Sequence, residues 1–238
     1  MVACSTVPPA PVDHRRQPPS KKISTHEVAK GETLFSIAWA YGLDYRGLAR
    51  ANGIGNSYTI HPGQVLKLTD DVEVVAPRNS GSKASAPPAV KTPAATASTP
   101  RNPVNKPVIK NIADGEIRWL WPASGKIIQG FSAGSDGNKG IDLAGKLGDA
   151  VAASAAGKVV YAGTGLVGYG QLIIIKHNDR FLTAYAHNRV MLVKEGESVK
   201  AGQKIAEIGS SGVEKVKLHF EIRRDGKPVD PEAYLPQR

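Results

Sequence analysis

Three short segments of this sequence carry side chains that could bind a metal ion. Asp142 ends the run NKGID, His187 ends the run YAH, and His219 ends the run KLH. Carboxylates and imidazoles are zinc ligands, and a catalytic zinc site normally combines three protein ligands with a water molecule. Asn138, which begins the first run, supplies only a neutral amide, a poor zinc ligand. These residues therefore indicate a metal-type site that lacks a ligand.

Lys217 opposes a metal ion at this site. Side chains two residues apart in a strand share a face, so Lys217 and His219 point into the same groove. An ammonium within about 4 Å of a dication is repelled by on the order of 8 kcal/mol at an effective dielectric of about 20. A partly buried carboxylate needs a cation or hydrogen bonds. We therefore hypothesise that the Lys217 ammonium replaces the zinc charge and, with the Asn138 amide, satisfies Asp142, so that no metal or other cofactor is expected.

Short strands must position these residues, because residues 116–238 read as a mainly-β domain. The runs KIIQGF and GKVVY predict strands, and QLIIIKH with FLTAYAH predicts a hairpin around Asn178-Asp179. The unit GDAV–GKVVYAG is echoed weakly by GESV–GQKIAEIG, which predicts repeated turn-strand units in a half-barrel-like sheet. Leu218 and Phe220 alternate with the groove residues and are expected in the core. His177 lies beside the hairpin turn and is expected to be structural.

An earlier segment, residues 24–70, predicts a small α+β module with the order β-α-α-β. The run THEV alternates like a strand, and a helix follows with Glu32 or Thr33 near its N-cap. Gly42 ends that helix, and Asp44 is placed to cap a second one. The run GQVLKL predicts the closing strand. Fewer than 50 residues therefore hold a complete βααβ unit.

Composition favours two small domains joined by irregular sequence. The 238 residues include 17 Pro and 25 Gly, and the formal net charge is +10. A basic balance favours a polyanionic partner, but no Lys/Arg block interleaved with aromatics occurs, so we expect no nucleic-acid binding. Residues 71–115 are rich in Pro, Ala and Ser and predict a flexible linker, whose reach can separate the modules by several nanometres. Residues 1–23 predict a Pro-rich tether.

The first module resembles the LysM domain over its whole length. The resemblance rests on V-x-x-G-E-T-L-x-x-I-A, then L-A-x-x-N-x-I, then I-x-P-G-Q-x-L. It implies binding to N-acetylglucosamine-containing glycan between two loops, with Leu34 and Ile54 touching the acetamide methyls. For Thr33 and Gly53, a capping or turn role is equally consistent with the sequence. The implied glycan-binding residues are Gly31, Glu32, Thr33, Leu34, Asn52, Gly53 and Ile54.

The second module resembles the LytM domain of lysostaphin-type peptidoglycan endopeptidases. Active members carry H-x-G-x-D, then a His in Y-x-H, then H-x-H, and the first His, the Asp and the last His hold zinc. The corresponding stretches here are NKGID, YAH and KLHF. Asn138 and Lys217 replace two of the histidines, whereas Asp142, His187 and His219 match. His187 is either a retained groove residue or a surface histidine with its hydrogen bonds satisfied. The resemblance therefore implies a catalytically degenerate domain.

The start of the chain, MVACS, resembles the end of a bacterial lipoprotein signal. A small residue precedes Cys4, the only cysteine, so no disulfide can form within the chain. The resemblance implies that Cys4 is lipidated, and Ser5 after it favours an outer-membrane lipoprotein facing the periplasm. No run of about 18 apolar residues is present to span a membrane.

Together, a lipidated Cys, a LysM domain, a Pro-rich linker and a degenerate LytM domain resemble the NlpD-type lipoproteins. That resemblance implies a non-enzymatic activator of a periplasmic zinc N-acetylmuramoyl-L-alanine amidase (AmiC-like), acting in septal peptidoglycan splitting and daughter-cell separation. The emptied groove then becomes a docking site for the amidase. The alternatives are a zinc-dependent peptidoglycan endopeptidase and a structural tether between outer membrane and wall. The residues expected to line the docking groove are Asn138, Asp142, His187, Lys217 and His219.

Overall fold

The computed structural model describes residues 24–69, 117–134 and 137–238. The predicted tether, with Cys4, and the predicted linker lie outside these residues. None of the helices in the described part is long and apolar enough to cross a membrane.

The first described module has the predicted βααβ order. Thr33 is the N-cap of the first helix: its Oγ1 accepts a hydrogen bond from the Ser36 amide at 3.1 Å, and Ser36 Oγ accepts one from the Thr33 amide at 3.0 Å. Gly42 ends that helix at φ 64°, and Asp44 caps the second helix. The two strands pair antiparallel. The elements are β1 (Thr25–Glu27), α1 (Leu34–Tyr41), α2 (Tyr45–Ala51) and β2 (Val65–Lys67).

The second module is mainly β, as predicted. A single 3-10 turn at Pro231–Ala233 is its only helical element within the described residues. The predicted hairpin forms, but its second strand ends one residue before His187, which takes a left-handed conformation at φ 64°. The strands are β3 (Ile127–Gln129), β4 (Ile141–Ala144), β5 (Ala150–Ala152), β6 (Gly157–Gly163), β7 (Leu172–Lys176), β8 (Phe181–Ala186), β9 (Asn188–Met191), β10 (Ser198–Val199), β11 (Lys204–Ile208), β12 (Lys217–Arg224) and β13 (Lys227–Val229).

These strands form two sheets around one core. The large sheet has the order β10-β6-β7-β8-β12-β4-β3, with β13 pairing the far end of β12, and the small sheet has the order β5-β11-β9. Strand β12 shows why the large sheet has two distinct faces. Leu218, Phe220 and Ile222 are fully buried in the core. The alternate side chains of β12, together with Asp142 opposite them, point to the other face, which we call the groove face.

The first module covers one end of the groove face. In β7, Ile173 and Ile175 enter the core, whereas Leu172 and Ile174 pack against the first module, and all four are fully buried. Burial on both faces explains why the run LIIIK is apolar without alternation. Leu182 and Ala184 of β8 also join the cluster shared with the first module. The two modules are therefore in contact, although the linker sequence alone predicts that they can lie far apart.

Polar contacts fix the orientation of the two modules. The Arg223 guanidinium lies 3.6 Å above the Trp39 ring, and its Nη1 donates to the Trp39 carbonyl at 2.7 Å. Arg46 Nη2 pairs with Asp225 Oδ1 at 2.9 Å. Each contact joins a residue of α1 or α2 to a residue at the end of β12 or just after it. The orientation therefore depends on specific residues as well as on apolar burial.

Candidate functional site

The structure brings the predicted groove residues together around one carboxylate. Asp142 in β4 lies directly opposite His219 in β12, and its side chain is 3% exposed. Lys217 Nζ donates to Asp142 Oδ2 at 2.6 Å, and His219 Nδ1 donates to Asp142 Oδ1 at 2.7 Å. Both oxygens of this buried carboxylate are therefore engaged by basic side chains.

Asn138 plays a different part from the one expected. Its Nδ2 donates to the Gly130 carbonyl at 3.1 Å. The expectation that the Asn138 amide helps to satisfy Asp142 is therefore wrong, and His219 fills that place. Asn138 still lines the groove, and its hydrogen bond joins the residues before β4 to the residue after β3. The hypothesis that Lys217 binds Asp142 is consistent with the short Nζ–Oδ2 distance.

The polar contacts continue beyond Asp142 along β12. Glu221 is fully buried, and its Oε1 accepts hydrogen bonds from the Tyr169 hydroxyl at 2.7 Å and from His219 Nε2 at 3.2 Å. Glu221 Oε2 accepts from Arg223 Nε at 3.0 Å. We call the connected residues Lys217, Asp142, His219, Glu221 and Arg223 the charge ladder. It runs from the open groove to the contact with the first module.

Sequence reasoning missed the inner half of the charge ladder. Glu221 and Arg223 follow Lys217 and His219 at the same two-residue spacing in β12, which is the signal that could have found them. Tyr169 comes from the loop before β7, and nothing in its local sequence connects it with Glu221. Its hydroxyl reaches Glu221 only because the sheet places that loop over β12.

The charge ladder shifts the pKa of its members in opposite directions. Burial disfavours the charged form of His219, but hydrogen bonds to Asp142 and Glu221 outweigh burial and raise its pKa to about 9. Burial likewise opposes ionisation of Asp142, but hydrogen bonds from His219 and Lys217 hold its pKa below the usual value. At neutral pH His219 is therefore an imidazolium, and both of its ring nitrogens are donors rather than metal ligands.

His187 lies in the groove wall beside the charge ladder. It is 4% exposed, its Nδ1 lies 2.9 Å from the Ser211 carbonyl, and its ring centroid lies 6.1 Å from that of His219. Burial lowers its pKa, so the ring is neutral at pH 7. The groove has a volume of about 360 Å³. His187, Asn138, Asp142, Lys217 and His219 all line it, as does Gln129.

The donor set does not fit a zinc ion. The Lys217 ammonium occupies one oxygen of Asp142, and protonated His219 occupies the other. The amide of Asn138 is bound to a main-chain carbonyl. In the described parts of the chain, no three His, Cys, Asp or Glu side chains are arranged to hold a metal. The charges that a zinc ion would balance are instead balanced within the charge ladder.

In the first module, two of the predicted glycan contacts need correction. Leu34 is fully buried in the core of the module, so its side chain cannot touch a ligand. The Asn52 amide is taken up by structure: its Nδ2 donates to the Leu48 and Lys67 carbonyls, and its Oδ1 accepts from the Lys67 amide. Asn52 therefore ties α2 to β2. Its glycan-binding role is not supported by this geometry.

The other predicted glycan residues keep accessible groups. Glu32 Oε2 accepts from the Ala29 amide at 2.7 Å and lies 2.8 Å from His26 Nε2, so it shapes the loop before α1. Gly31 and Gly53 are exposed and take positive φ values of 87° and 66°. Ile54 is half-buried against the apolar cluster. Glycan binding by Gly31, Glu32, Thr33, Gly53 and Ile54 stays a prediction.

Comparison with protein families identifies both modules. Residues 26–69 match the LysM domain, and residues 136–231 match peptidase family M23. The fold class predicted from the sequence, a LysM module followed by a mainly-β LytM-type domain, is thereby confirmed.

Individual relatives match the chain over most of its length. It is 45% identical over 272 residues to the lipoprotein NlpD/LppB homolog of Pseudomonas aeruginosa, covering 100% of this chain and 89% of the relative. It is 42% identical over 259 residues to the murein hydrolase activator NlpD of Escherichia coli K12, covering 90% and 68%. A zinc-containing peptidase structure from Vibrio cholerae is 31% identical, with a TM-score of 0.45, over 48% of this chain and 39% of that one. The relatives place this chain in the NlpD/LppB family of lipoproteins, to which it belongs.

Proposed function

We propose that this protein is a non-enzymatic activator of a periplasmic zinc N-acetylmuramoyl-L-alanine amidase that splits septal peptidoglycan. The observation that carries the proposal is the state of Asp142: Lys217 and His219 engage both of its oxygens. Relatives 41–42% identical to this chain are named murein hydrolase activators. A groove whose charges are balanced internally is suited to binding a partner rather than to holding a reactive metal.

The groove has the features of a docking site for a protein segment. It is open at the mouth, where Gln129 is exposed, and its floor is formed by β4 and β12 of the large sheet. The charge ladder fixes the Lys217 and His219 side chains in one geometry, so little side-chain entropy is lost when a partner binds against them. In this proposal an amidase segment enters the groove, and its binding draws an inhibitory element away from the amidase zinc.

The other features bring the activator to its site of action. The LysM domain binds the glycan of peptidoglycan, and a lipid on Cys4 holds the chain at the periplasmic face of the outer membrane. Relatives are named lipoproteins, and one is named an outer membrane antigenic lipoprotein. The linker raises the effective concentration of the groove near the wall. Enrichment at the division septum follows if the amidase substrate is concentrated there.

The test is a dye-release assay on labelled peptidoglycan sacculi with the purified periplasmic amidase of the same organism. An acidic replacement of Lys217 or His219 is a poor probe, because it would place a second carboxylate beside buried Asp142 and destabilise the fold. Gln129→Trp is a better probe, since the exposed side chain lines the groove and a bulky ring would block it. Ile128→Trp is the matched control: Ile128 adjoins Gln129 in β3, is exposed, and lies outside the groove lining.

We expect dye release only when the protein and the amidase are both present. We expect Gln129→Trp to abolish stimulation and Ile128→Trp to retain it, with unchanged circular dichroism for both. Chelator-sensitive release by the protein alone would contradict the proposal and indicate a zinc endopeptidase. Full stimulation by Gln129→Trp would place the amidase contact outside the groove. No stimulation by any form would leave only a structural tether.

A further inference from the structure

A second site lies between the two modules, away from the charge ladder. A cleft of about 660 Å³ separates the loops of the LysM module from β6 and β7 of the large sheet. This volume is within the usual range for small-ligand sites, about 300–1,000 Å³. We propose that this cleft is a two-domain binding site for carboxylate-bearing peptidoglycan glycan, in which the LytM domain supplies the residues that recognise the carboxylate. The proposal rests on glycan binding by the LysM module.

The LysM wall of the cleft is suited to a sugar ring. Glu32 and Thr33 line it from the loop before α1, and residues 56–60 line it from the loop after α2. Phe35 and Tyr58 add aromatic surface, with ring centroids 5.5 Å apart in an edge-to-face arrangement. Aromatic faces bind the apolar C–H faces of sugars, while a few polar groups fix their orientation. This wall alone contains no cation among the residues that line it.

The LytM wall supplies two lysines. Lys158 in β6 and Lys176 in β7 are directly opposite each other in the sheet, and both line the cleft. Like charges in opposite positions repel, and Asp179 offsets this repulsion only from the Lys176 side. Lys176 Nζ is held by Asp179 Oδ1 at 2.8 Å and lies 5.2 Å from the Tyr45 ring centroid. Within the described ranges no carboxylate pairs with Lys158, which is exposed.

The carboxylates of the cleft do not neutralise Lys158. Glu32 Oε2 accepts from the Ala29 amide, and Glu195 Oε1 accepts from the Ala162 amide at 3.2 Å. Each acid has a main-chain donor on its own wall and keeps its negative charge, and within the described residues neither forms an ion pair with Lys158. A ligand carboxylate near Lys158 would relieve the repulsion between the lysines and gain a charge-assisted contact.

This geometry discriminates between two kinds of glycan. Peptidoglycan carries carboxylates on its lactyl-peptide substituents, whereas oligomers of N-acetylglucosamine are neutral. A LysM wall alone would bind both through acetamide and ring contacts. A two-domain cleft with Lys158 at its LytM wall favours the carboxylate-bearing glycan. Binding would also hold the two modules together, because the ligand touches both walls.

The test compares two ligands on the full chain by isothermal titration calorimetry. The ligands are chitotetraose, which is neutral, and a soluble muropeptide tetrasaccharide. The variant is Lys158→Glu, and the matched control is Lys200→Glu, which makes the same charge change at an exposed position of the LytM domain outside the cleft lining. We expect Lys158→Glu to weaken muropeptide binding by about tenfold or more and chitotetraose binding by less than about twofold. Lys200→Glu should change neither affinity by more than about twofold.

Two results would contradict different parts of the argument. If the wild type binds both ligands and Lys158→Glu weakens neither, or weakens both equally, the LytM wall takes no part and the two-domain site is wrong. If the wild type binds neither ligand, the proposed glycan binding by the LysM module fails first. If Lys200→Glu weakens muropeptide binding as much as Lys158→Glu does, the effect comes from the overall charge of the protein and not from Lys158 in the cleft, and the proposal is wrong.

Discussion

The two ends of the groove face bury different kinds of side chain: a charged carboxylate at the open end and apolar side chains at the covered end. At the open end, Asp142 is buried with its charge intact, because Lys217 and His219 engage both of its oxygens. At the covered end, Leu172 and Ile174 are removed from water by the LysM module. The charge ladder joins the two ends, since Arg223 contacts Glu221 on one side and Trp39 on the other.

The difference shows that one sheet face can combine a polar groove with an apolar contact surface for a second module. The open end holds Lys217, Asp142 and His219 in fixed positions beside an open groove. The covered end uses apolar area, worth about 25 cal/mol per Å² removed from water, to hold the second module. Arg223 belongs to both, because its buried guanidinium has ionic and aromatic partners. Changes at residues other than Arg223 are therefore expected to act mainly at the end where they are made.

The largest expected effect comes from converting the open end back into a metal site. The double variant Asn138→His, Lys217→His removes the ammonium from Asp142 and adds imidazoles to Asp142 and His219. Three ligands are the usual number for a catalytic zinc site. We expect the double variant to bind zinc at micromolar affinity or tighter, about −8 kcal/mol, and the wild type to give no detectable zinc binding. Isothermal titration with zinc measures it.

The single variant Asn138→His is the control for this zinc prediction. It keeps the Lys217 ammonium 2.6 Å from Asp142 Oδ2, so the positive charge still opposes the metal. We expect its zinc affinity to be far weaker than that of the double variant. Equal zinc affinities of the single and double variants would show that Lys217 does not exclude zinc. If neither variant binds zinc, the groove residues do not correspond to the ligands of a zinc site.

At the covered end, Trp39→Ala should separate the two modules. Trp39 is 3% exposed, and truncation removes both core packing and the surface on which Arg223 stacks. Removing a buried Trp side chain costs about 3–5 kcal/mol. In differential scanning calorimetry we expect the LysM transition to move to lower temperature and to split from that of the LytM domain. Tyr41→Ala, on the same helix but 36% exposed, should leave a single transition.

The smallest expected effect is a pH dependence that arises at the open end. The pKa of His219 is about 9 in the folded protein, against about 6.5 when unfolded. Its contribution is therefore complete below about pH 6.5 and is lost as the pH rises through 9. The loss amounts to about 3 kcal/mol. Urea unfolding between pH 6.5 and 9.5 measures the free energy of unfolding across this window.

The histidines with lowered pKa act at the lower edge of this window and with the opposite sign. Burial lowers the pKa of His177 to about 4 and also lowers the pKa of His187, so their contribution to stability rises as the unfolded histidines lose their protons near pH 6.5 and is complete above about pH 7.5. The control is His219→Gln, which should give a lower but nearly flat stability from about pH 7.5 to 9.5. A wild-type curve as flat as that of the variant would show that His219 is not held as an imidazolium.

Much of the fold follows from local patterns in the sequence. Alternation in KLHF predicts that Lys217 and His219 share a face and that Leu218 and Phe220 enter the core, and the structure agrees. The caps Thr33 and Asp44 are predictable because short polar side chains bind the free amides of a first helical turn. These features are determined within a few residues, so the sequence by itself decides them.

Apart from the Lys217–Asp142 pair, which was expected from the resemblance, the long-range partners of the groove residues were decided only by the tertiary structure. His219 and Asp142 are 77 residues apart, and the register of β4 on β12 sets their contact. Asn138 donates to the Gly130 carbonyl instead, a contact between the residues before β4 and after β3, whereas His219 and Glu221 are two residues apart in β12 and meet through the spacing of that strand. The docking of the LysM module on β7 and β8 also has no local signal, because an apolar run such as LIIIK reports burial without saying what covers it. Periodicity encodes which face a side chain takes, whereas long-range packing selects its partner.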